Sequence, residues 1–176
     1  GIINPSGHVA DTYAYDHKTA PSFANVFKNS NQITYTEDIY IGYKWYETAD
    51  VEGYWNEINN NYGKGYDGVV QYPFGYGLSY TTFKWEVQNF NLDNEKTISK
   101  YMSFILDVKV TNTGNVEGKD VVQLYYTAPY TKGEVEKASR NLLSFGKTKL
   151  LQPNESDVVR LKFDLYDLAS YDCYDK

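Results

Sequence analysis

From about residue 82 onward, hydrophobic and polar positions alternate in short runs, and turn residues separate these runs at intervals of roughly ten residues. β-branched and aromatic residues dominate the runs, as is typical of strands in an antiparallel β-sandwich. In the second run, Phe104, Leu106, Val108 and Val110 alternate with polar neighbours. The pattern predicts five strands, at residues 83–90, 101–112, 119–127, 142–151 and 156–165.

Two of the predicted turns have characteristic residues. Residues 112–115 contain Gly114 and Asn115, which tolerate positive φ, and residues 152–155 contain Pro153, which pre-sets φ for a turn. Five strands are fewer than the roughly seven of an immunoglobulin-like sandwich. The predicted fold is therefore mainly β, an immunoglobulin or fibronectin III-like antiparallel sandwich that stops before its last strands.

The first 70 or so residues lack both the helical and the strand period over any long stretch. Residues 39–46 are compatible with a short strand or with one turn of helix, and residues 50–67 resemble a long loop. We therefore expect an irregular segment here that does not build a core by itself. Loops of that length usually have a function or a missing neighbour.

The most informative feature of the composition is its content of aromatic residues. They make up 17% of the 176 residues, and 19 of them are Tyr. Tyrosine favours half-buried pleated surfaces and sites where an aromatic face has a polar rim. The hydrophobic share of 41% indicates an ordered globular chain of one to two domains.

The charge balance bears on partners and compartment. The formal net charge is -6 without a long basic run, so nucleic acid is not expected as a partner. No apolar run approaches the roughly 18 residues that a transmembrane helix needs, and the first residues lack the features of a signal peptide. We expect a soluble chain without a membrane partner, and the sequence does not indicate its compartment.

Few residues suggest metal or covalent chemistry. Cys173 is the single cysteine, and His8 and His17 are the two histidines, so no zinc-like cluster is expected. The sequence predicts no metal and no cofactor. Nothing pairs two of the 23 acidic residues, so they are interpreted as solvated surface rather than as catalytic groups.

A long motif at residues 72–83, YPFGYGLSYTTF, resembles the junction motif of glycoside hydrolase family 3, the β-glucosidase-type family. In that family the motif leads from an α/β sandwich domain into a fibronectin type III-like domain. Segments resembling that second domain are VTNTG at 110–114, VVQLY at 121–125 and LASYD at 168–172. NPSG at 4–7 and IGYKWY at 41–46 resemble segments that close the α/β domain.

The resemblance implies a domain division. Residues 1–82 would be the closing segment of the α/β domain with the junction motif, and residues 83–176 a fibronectin type III-like domain truncated before its last strands. Residues 9–16, VADTYAYD, look more like family variants in which the catalytic barrel follows the fibronectin-like domain.

The resemblance also implies a chemistry, which is retaining hydrolysis of O-glycosyl bonds by two carboxyl groups about 5 to 5.5 Å apart. In the family these groups lie in the barrel and ahead of the closing segment, so neither has a counterpart here. The chain is thus predicted to be a non-catalytic structural portion of a β-glycosidase and inactive alone. Its partners would be the other domains of the parent enzyme, whose substrate would be a β-linked glucoside or oligosaccharide.

Two groups of residues are singled out as site candidates. Tyr54 and Trp55, in the predicted loop, could stack on a sugar ring, and the alternative is that they pack at a domain boundary. The second group is expected to fix domain orientation, because two glycines around an aromatic permit a sharp reversal: Pro73, Phe74, Gly75, Tyr76 and Gly77.

Two other functions compete with the structural role. The chain could be a carbohydrate-binding module that uses its loop aromatics, or a protein-interaction domain whose unclosed sheet pairs with another strand. The sugar and linkage specificity and the oligomeric state are not indicated by the sequence.

Overall fold

A computed structural model describes residues 2–26, 31–92 and 99–172, and within these ranges the chain forms seven β-strands and two α-helices. The strands are β1 (Tyr13–Ala14), β2 (Val70–Tyr72), β3 (Phe83–Leu92), β4 (Ser103–Asn112), β5 (Val121–Tyr126), β6 (Asn141–Lys147) and β7 (Ser156–Asp164). The helices are α1 (Phe23–Val26) and α2 (Tyr43–Val51).

The chain divides into two compact units, and each is assembled from separate stretches of sequence. The unit that we call the sandwich unit comprises Gly1–His8, Gly77–Tyr126 and Leu142–Tyr171. The other, the helical unit, comprises Val9–Tyr76, Thr127–Asn141 and Asp172–Lys176.

The sandwich unit contains two antiparallel sheets around one core. One sheet has the strand order β3-β4-β7, and the other pairs β5 with β6. Side chains from both sheets form the buried cluster, together with the loop residue Leu151: Val108, Val110, Val122, Val159 and Leu161. The predicted mainly β fold and the five predicted strands are confirmed, with ends shifted by a few residues.

Each predicted turn has its own physical basis. In the 152–155 turn Glu155 N donates to Gln152 O at 2.9 Å, and Asn154 has a φ of 66°, as expected after a proline at the second turn position. Gly114 and Asn115 tolerate positive φ, but neither adopts it in the structure. Glycine is needed at 114 because a Cβ there would lie 2.2 Å from Thr81 Oγ1.

The helical unit has a core of its own. Helix α2 begins after Gly42, whose φ of 56° suits glycine, and it resolves the strand-or-helix alternative for residues 39–46 in favour of helix. Five side chains form a buried cluster: Tyr46, Ala49, Trp55, Val69 and Val70. The expectation that the first 70 residues build no core is therefore wrong, because the aromatic side chains supply the apolar area that the short apolar runs lack.

Residues Thr127–Asn141 connect β5 to β6 yet belong to the helical unit, and we call them the strap. Ser139 N donates to Thr48 Oγ1 at 2.9 Å, Tyr40 OH donates to Glu136 Oε2 at 2.5 Å, and Ala138 is buried. A connection between two strands of the sandwich unit is thus built into the helical unit.

Candidate functional site

The two predicted sugar-binding residues have opposite surroundings. Trp55 is 4% exposed, lies in the helical core and donates from Nε1 to Tyr46 O at 3.2 Å. Tyr54 is 67% exposed, and its ring meets Trp45 and Trp55 edge to face at centroid distances of 5.6 and 4.9 Å. Only Tyr54 therefore presents a face to a ligand, and sugar binding by the pair stays a prediction.

The predicted junction residues form a tight turn. Tyr76 N donates to Pro73 O at 3.0 Å, and Gly75 has a φ of 82°, a combination typical of a type II turn. Gly75 N also donates to Val9 O at 2.7 Å, and the Phe74 ring contacts Tyr43 at 4.6 Å between centroids. Thus Pro73 to Tyr76 are anchored within the helical unit.

Gly77 lies at the start of the next stretch of the sandwich unit. A Cβ on this residue would lie 2.8 Å from Gly7 O and 3.1 Å from His8 Nδ1, so a side chain has no room. The role of the whole motif in fixing domain orientation stays a prediction.

A cavity of about 460 Å³ lies within the helical unit. Its lining includes the acidic residues Asp11 and Glu37 and the aromatic residues Tyr40, Trp45 and Tyr46. The aromatic polar atoms already have partners, since Trp45 Nε1 donates to Thr19 O at 2.9 Å and the Tyr46 hydroxyl pairs with Thr19 Oγ1 at 3.2 Å. The sequence did not point to this cavity, because its lining comes from stretches up to 35 residues apart (11 to 46).

A second polar cluster joins three stretches of the helical unit through Glu47 on α2. Tyr66 OH donates to Glu47 Oε1 at 2.6 Å, and Arg140 of the strap lies 2.8 Å from Glu47 Oε2. Burial, and then the hydrogen bond to Glu47, raise the pKa of the Tyr66 hydroxyl. This carboxylate is therefore committed to structural bonds.

Comparison with known proteins places these features in a family. A family model of the fibronectin type III-like domain matches residues 120–176. β-Glucosidase A of Butyrivibrio fibrisolvens is 39% identical over 98% of this chain, which corresponds to 20% of the relative's length. A β-glucosidase of Ruminococcus albus is 37% identical over 98% of the chain and 15% of its own length. This chain is homologous to a segment of family 3 β-glucosidases.

Solved structures agree with this assignment. A β-glucosidase from Paenibacillus barengoltzii superposes with a TM-score of 0.80 at 42% identity, over 98% of this chain and 16% of its own. β-Glucosidase 3B from Thermotoga neapolitana, solved in complex with glycerol, gives a TM-score of 0.73 at 37% identity, over 97% of this chain and 21% of its own. The chain thus spans about a fifth or less of the length of the relatives that it matches.

The carboxylates of this chain whose pKa shifts are resolved all shift downward. The Arg160 guanidinium donates to both oxygens of Asp107 at 2.8 and 2.9 Å and lowers the pKa of that carboxyl. Hydrogen bonds from Lys84 and Lys149 lower the pKa of Glu86 and Glu155 in the same way. A general acid needs a raised pKa, so these three carboxyl groups do not suit that role.

The sequence also drew attention to the two histidines and the single cysteine, the residue types that suggest metal or covalent chemistry. His8 Nε2 lies 3.4 Å from Asp120 Oδ1 in the sandwich unit, and His17 Nδ1 lies 3.8 Å from Asp16 Oδ1 in the helical unit. Cys173 lies outside the described residues.

Within residues 2–26, 31–92 and 99–172, no three His, Cys, Asp or Glu side chains are placed to hold a metal ion together. In the same ranges no helix combines the length and the apolar character that crossing a bilayer requires.

Proposed function

We propose that this chain is the non-catalytic structural part of a retaining β-glycosidase of the β-glucosidase type, in which it orients the catalytic domains. The parent enzyme would hydrolyse a β-linked glucoside or oligosaccharide, and the partners of this chain would be the enzyme's other domains. Within this proposal, residues 1–82 close the α/β domain and residues 83–176 form the fibronectin type III-like domain.

The observation that carries the proposal is the strap. Its residues are contiguous with β5 and β6 of the sandwich unit, but two of them bond to α2. The backbone N–H of Ser139 donates to Thr48 Oγ1, and the Arg140 guanidinium pairs with Glu47. A loop fixed in this way limits the freedom of the chain on both of its sides, because each hydrogen bond and the burial of Ala138 oppose its release. This suits a segment that holds domains in register.

The state of the carboxylates supports a non-catalytic role. Glu47 is bonded to Tyr66 and Arg140, and Glu136 accepts a hydrogen bond from Tyr40. Asp120 accepts hydrogen bonds from Trp85 Nε1 and Val121 N. Carboxyl groups tied up in this way are not available to protonate or attack a glycosidic bond.

A chimaera tests the orienting role. The segment of Butyrivibrio fibrisolvens β-glucosidase A that aligns with this chain would be replaced by residues 1–176, and hydrolysis of p-nitrophenyl β-glucoside measured. We expect the chimaera to be active and a version lacking the segment to be inactive. Glycosidase turnover by the 176-residue chain alone, or full activity without the segment, would contradict the proposal.

A second candidate function, carbohydrate binding, is favoured by the exposed ring of Tyr54. It predicts that the chain is retained on an insoluble β-glucan and that Tyr54→Ala abolishes this retention. Tyr35→Ala serves as the matched control, because Tyr35 is also exposed in the helical unit. Equal retention of the two variants, or no retention of the unaltered chain, argues against this function.

A further inference from the structure

One apolar face of the sandwich unit is open to solvent. Three residues of β3 form it: Trp85, Val87 and Phe90. In the register of the sheet they lie opposite three residues of β4 that belong to the core or pack against it: Val110, Val108 and Leu106. Residues opposite each other in an antiparallel pair share one face, so the three β3 side chains lie on the core side of the sheet. Yet they are 50%, 69% and 62% exposed, whereas Val108 and Val110 are buried.

A β-bulge preserves this apolar face along β3. The register shifts between Val87 and Asn89, so Phe90 rather than Asn89 returns to the core side. There the Phe90 ring stacks with Phe104 and Phe163 at centroid distances of 6.0 and 6.5 Å. The strand therefore has the residue pattern of a strand with one buried face, although that face is exposed here.

The second sheet of the sandwich unit does not extend over β3. Among the described residues it consists of β5 and β6. β6 lies over β7, since Ser144 Oγ donates to Lys162 O at 3.2 Å and a Cβ on Gly146 would lie 2.6 Å from Val159 Cγ1. Val122 of β5 packs in the core beside β4. With β6 over β7 and β5 over β4, the position over β3 adjoins the outer edge of β5, the edge that faces away from β6.

A β-strand paired with the outer edge of β5 would cover the apolar face of β3. Neighbouring strands lie about 4.8 Å apart and stacked sheets about 10 Å apart, so such a strand would stand in the second layer, over β3. β5 (Val121–Tyr126) contains no charged residue and no proline, the residues by which proteins commonly keep an edge strand from pairing. A strand would offer backbone hydrogen bonds to the edge and apolar side chains to the face.

The strand order argues against a second copy of this chain as the source of that strand. If two copies paired antiparallel through β5 about a two-fold axis, the axis would be normal to the sheet. The three-stranded sheets of both copies would then lie on the same side of the new sheet. Because β4 of each copy lies under its own β5, it would collide with β3 of the other copy.

We propose that the outer edge of β5 and the apolar face of β3 receive a β-strand from the part of the parent enzyme that lies outside residues 1–176. The inference rests on the proposed function and deepens it by stating where this chain is joined to the rest of the enzyme. The chain matches 20% and 15% of the length of two relatives, which leaves about four fifths or more of each to supply the strand. The strand would match the six residues of β5 in length, with every second side chain apolar.

Hydrogen exchange tests the docking of this strand. Deuterium uptake of the peptide that covers β5 would be measured by mass spectrometry in the 176-residue chain and in the chimaera with Butyrivibrio fibrisolvens β-glucosidase A. About half of the amides of an edge strand point away from its partner, and these should exchange at least about ten-fold more slowly in the chimaera. The peptide that covers β4, a strand paired on both sides, is the control and should be protected equally in both proteins.

A lysine on the apolar face provides a second test. In the chimaera, Val87→Lys would place an ammonium group under the docked strand, so the exchange of β5 should return toward the rate in the 176-residue chain. In that chain alone the same substitution should leave the exchange of β4 and β5 unchanged, because Val87 is exposed there, and this result also shows that the variant folds. Asn89→Lys, on the opposite face of β3, is the matched control and should alter exchange in neither protein.

The inference and the proposed function can fail separately. Equal exchange of β5 in the 176-residue chain and in an active chimaera, or equal effects of the two lysine variants, would overturn the inference alone. A dimer of the 176-residue chain by light scattering, with β5 already protected, would assign the face to a second copy and also overturn it. Protection of β5 in an inactive chimaera would contradict only the orienting role, and an inactive chimaera without this protection would contradict both.

Discussion

Asn112 shows how one side chain organises the sandwich unit. Its amide is completely buried, donates to Val116 O at 2.8 Å and Leu151 O at 3.0 Å, and accepts from Thr81 Oγ1 at 2.6 Å and Gly114 N at 3.1 Å. All four hydrogen-bonding positions of the amide are used. Asn112 therefore ties the end of β4 to two loops and to the stretch before β3.

Replacing this amide should be costly. Asn112→Ala leaves buried donors and acceptors unpaired, and we expect it to lower the free energy of unfolding by about 2–4 kcal/mol, measured by urea denaturation. Asn115→Ala, at an exposed position of the same turn, should change it by less than about 0.5 kcal/mol. Equal midpoints of urea denaturation for the two variants would contradict the stabilising role of the Asn112 hydrogen bonds.

Tyr66 gives a prediction for the dependence of stability on pH. Its pKa is raised above the ordinary value of about 10 by burial and by Glu47, so the unfolded chain releases this proton first as the pH rises. The contribution of Tyr66 is thus complete below pH 10 and is lost above it.

The variant Tyr66→Phe separates the effect of the hydrogen bond to Glu47 from the effect of the raised pKa on stability. It should cost about 1 kcal/mol at pH 8, because the hydrogen bond to Glu47 is lost, and it should make the decline in stability above pH 10 less steep. Urea denaturation at pH 8 and pH 10.5 measures both effects. Tyr35→Phe, at an exposed position, is the control, and a decline as steep in Tyr66→Phe as in the unaltered chain would refute the assignment.

At the scale of elements, α2 and the strap depend on each other. Helix α2 has nine residues, and Gly42 provides no side-chain cap, so local sequence favours it only weakly. Its outer side is bonded to the strap through Thr48 and Glu47, while Tyr46 and Ala49 are buried in the helical core. Tertiary contacts therefore stabilise this helix.

Cutting one bond of the strap tests this dependence. Thr48→Val removes the oxygen that accepts from Ser139 N at nearly the same volume, so the strap should open more often. Trypsin should then cleave faster after Lys132 and Lys137. Thr131→Val, at an exposed position, provides the comparison, and identical cleavage rates in both variants would show that the bond does not restrain the strap.

At the scale of the whole molecule, neither unit is a continuous piece of chain. The sandwich unit includes Gly1–His8, in which Asn4 Nδ2 donates to Glu117 O at 2.9 Å and Asn4 Oδ1 accepts from Tyr80 N at 2.9 Å. It also includes Thr81, whose hydroxyl donates a hydrogen bond to Asn112 Oδ1. The division proposed for the family domains, at residue 82, thus separates residues that belong to one compact unit here.

A fragment tests this consequence. Residues 83–176 alone lack Thr81 and Asn4, and we expect them to unfold at a lower urea concentration than residues 1–176, with a loss of at least about 2 kcal/mol. Circular dichroism at a strand-sensitive wavelength follows the transition. A fragment as stable as the whole chain would instead favour an independent domain that begins at residue 83.

The sequence by itself determined the elements whose signals are local. Alternation predicted the five strands of the sandwich unit, Pro153 predicted its turn, and the motif at 72–83 indicated the family. Strand periodicity and turn chemistry are properties of neighbouring residues, and they can therefore be predicted without a structure.

Only the tertiary structure decided the rest. The helical core, the four hydrogen bonds of Asn112 and the cavity with Glu37 bring together residues far apart in the chain. In the folded chain Trp55 is buried and its neighbour Tyr54 is exposed, although both are aromatic residues of one predicted loop. Burial and pairing depend on what the folded chain places opposite a side chain, and no local pattern contains that information.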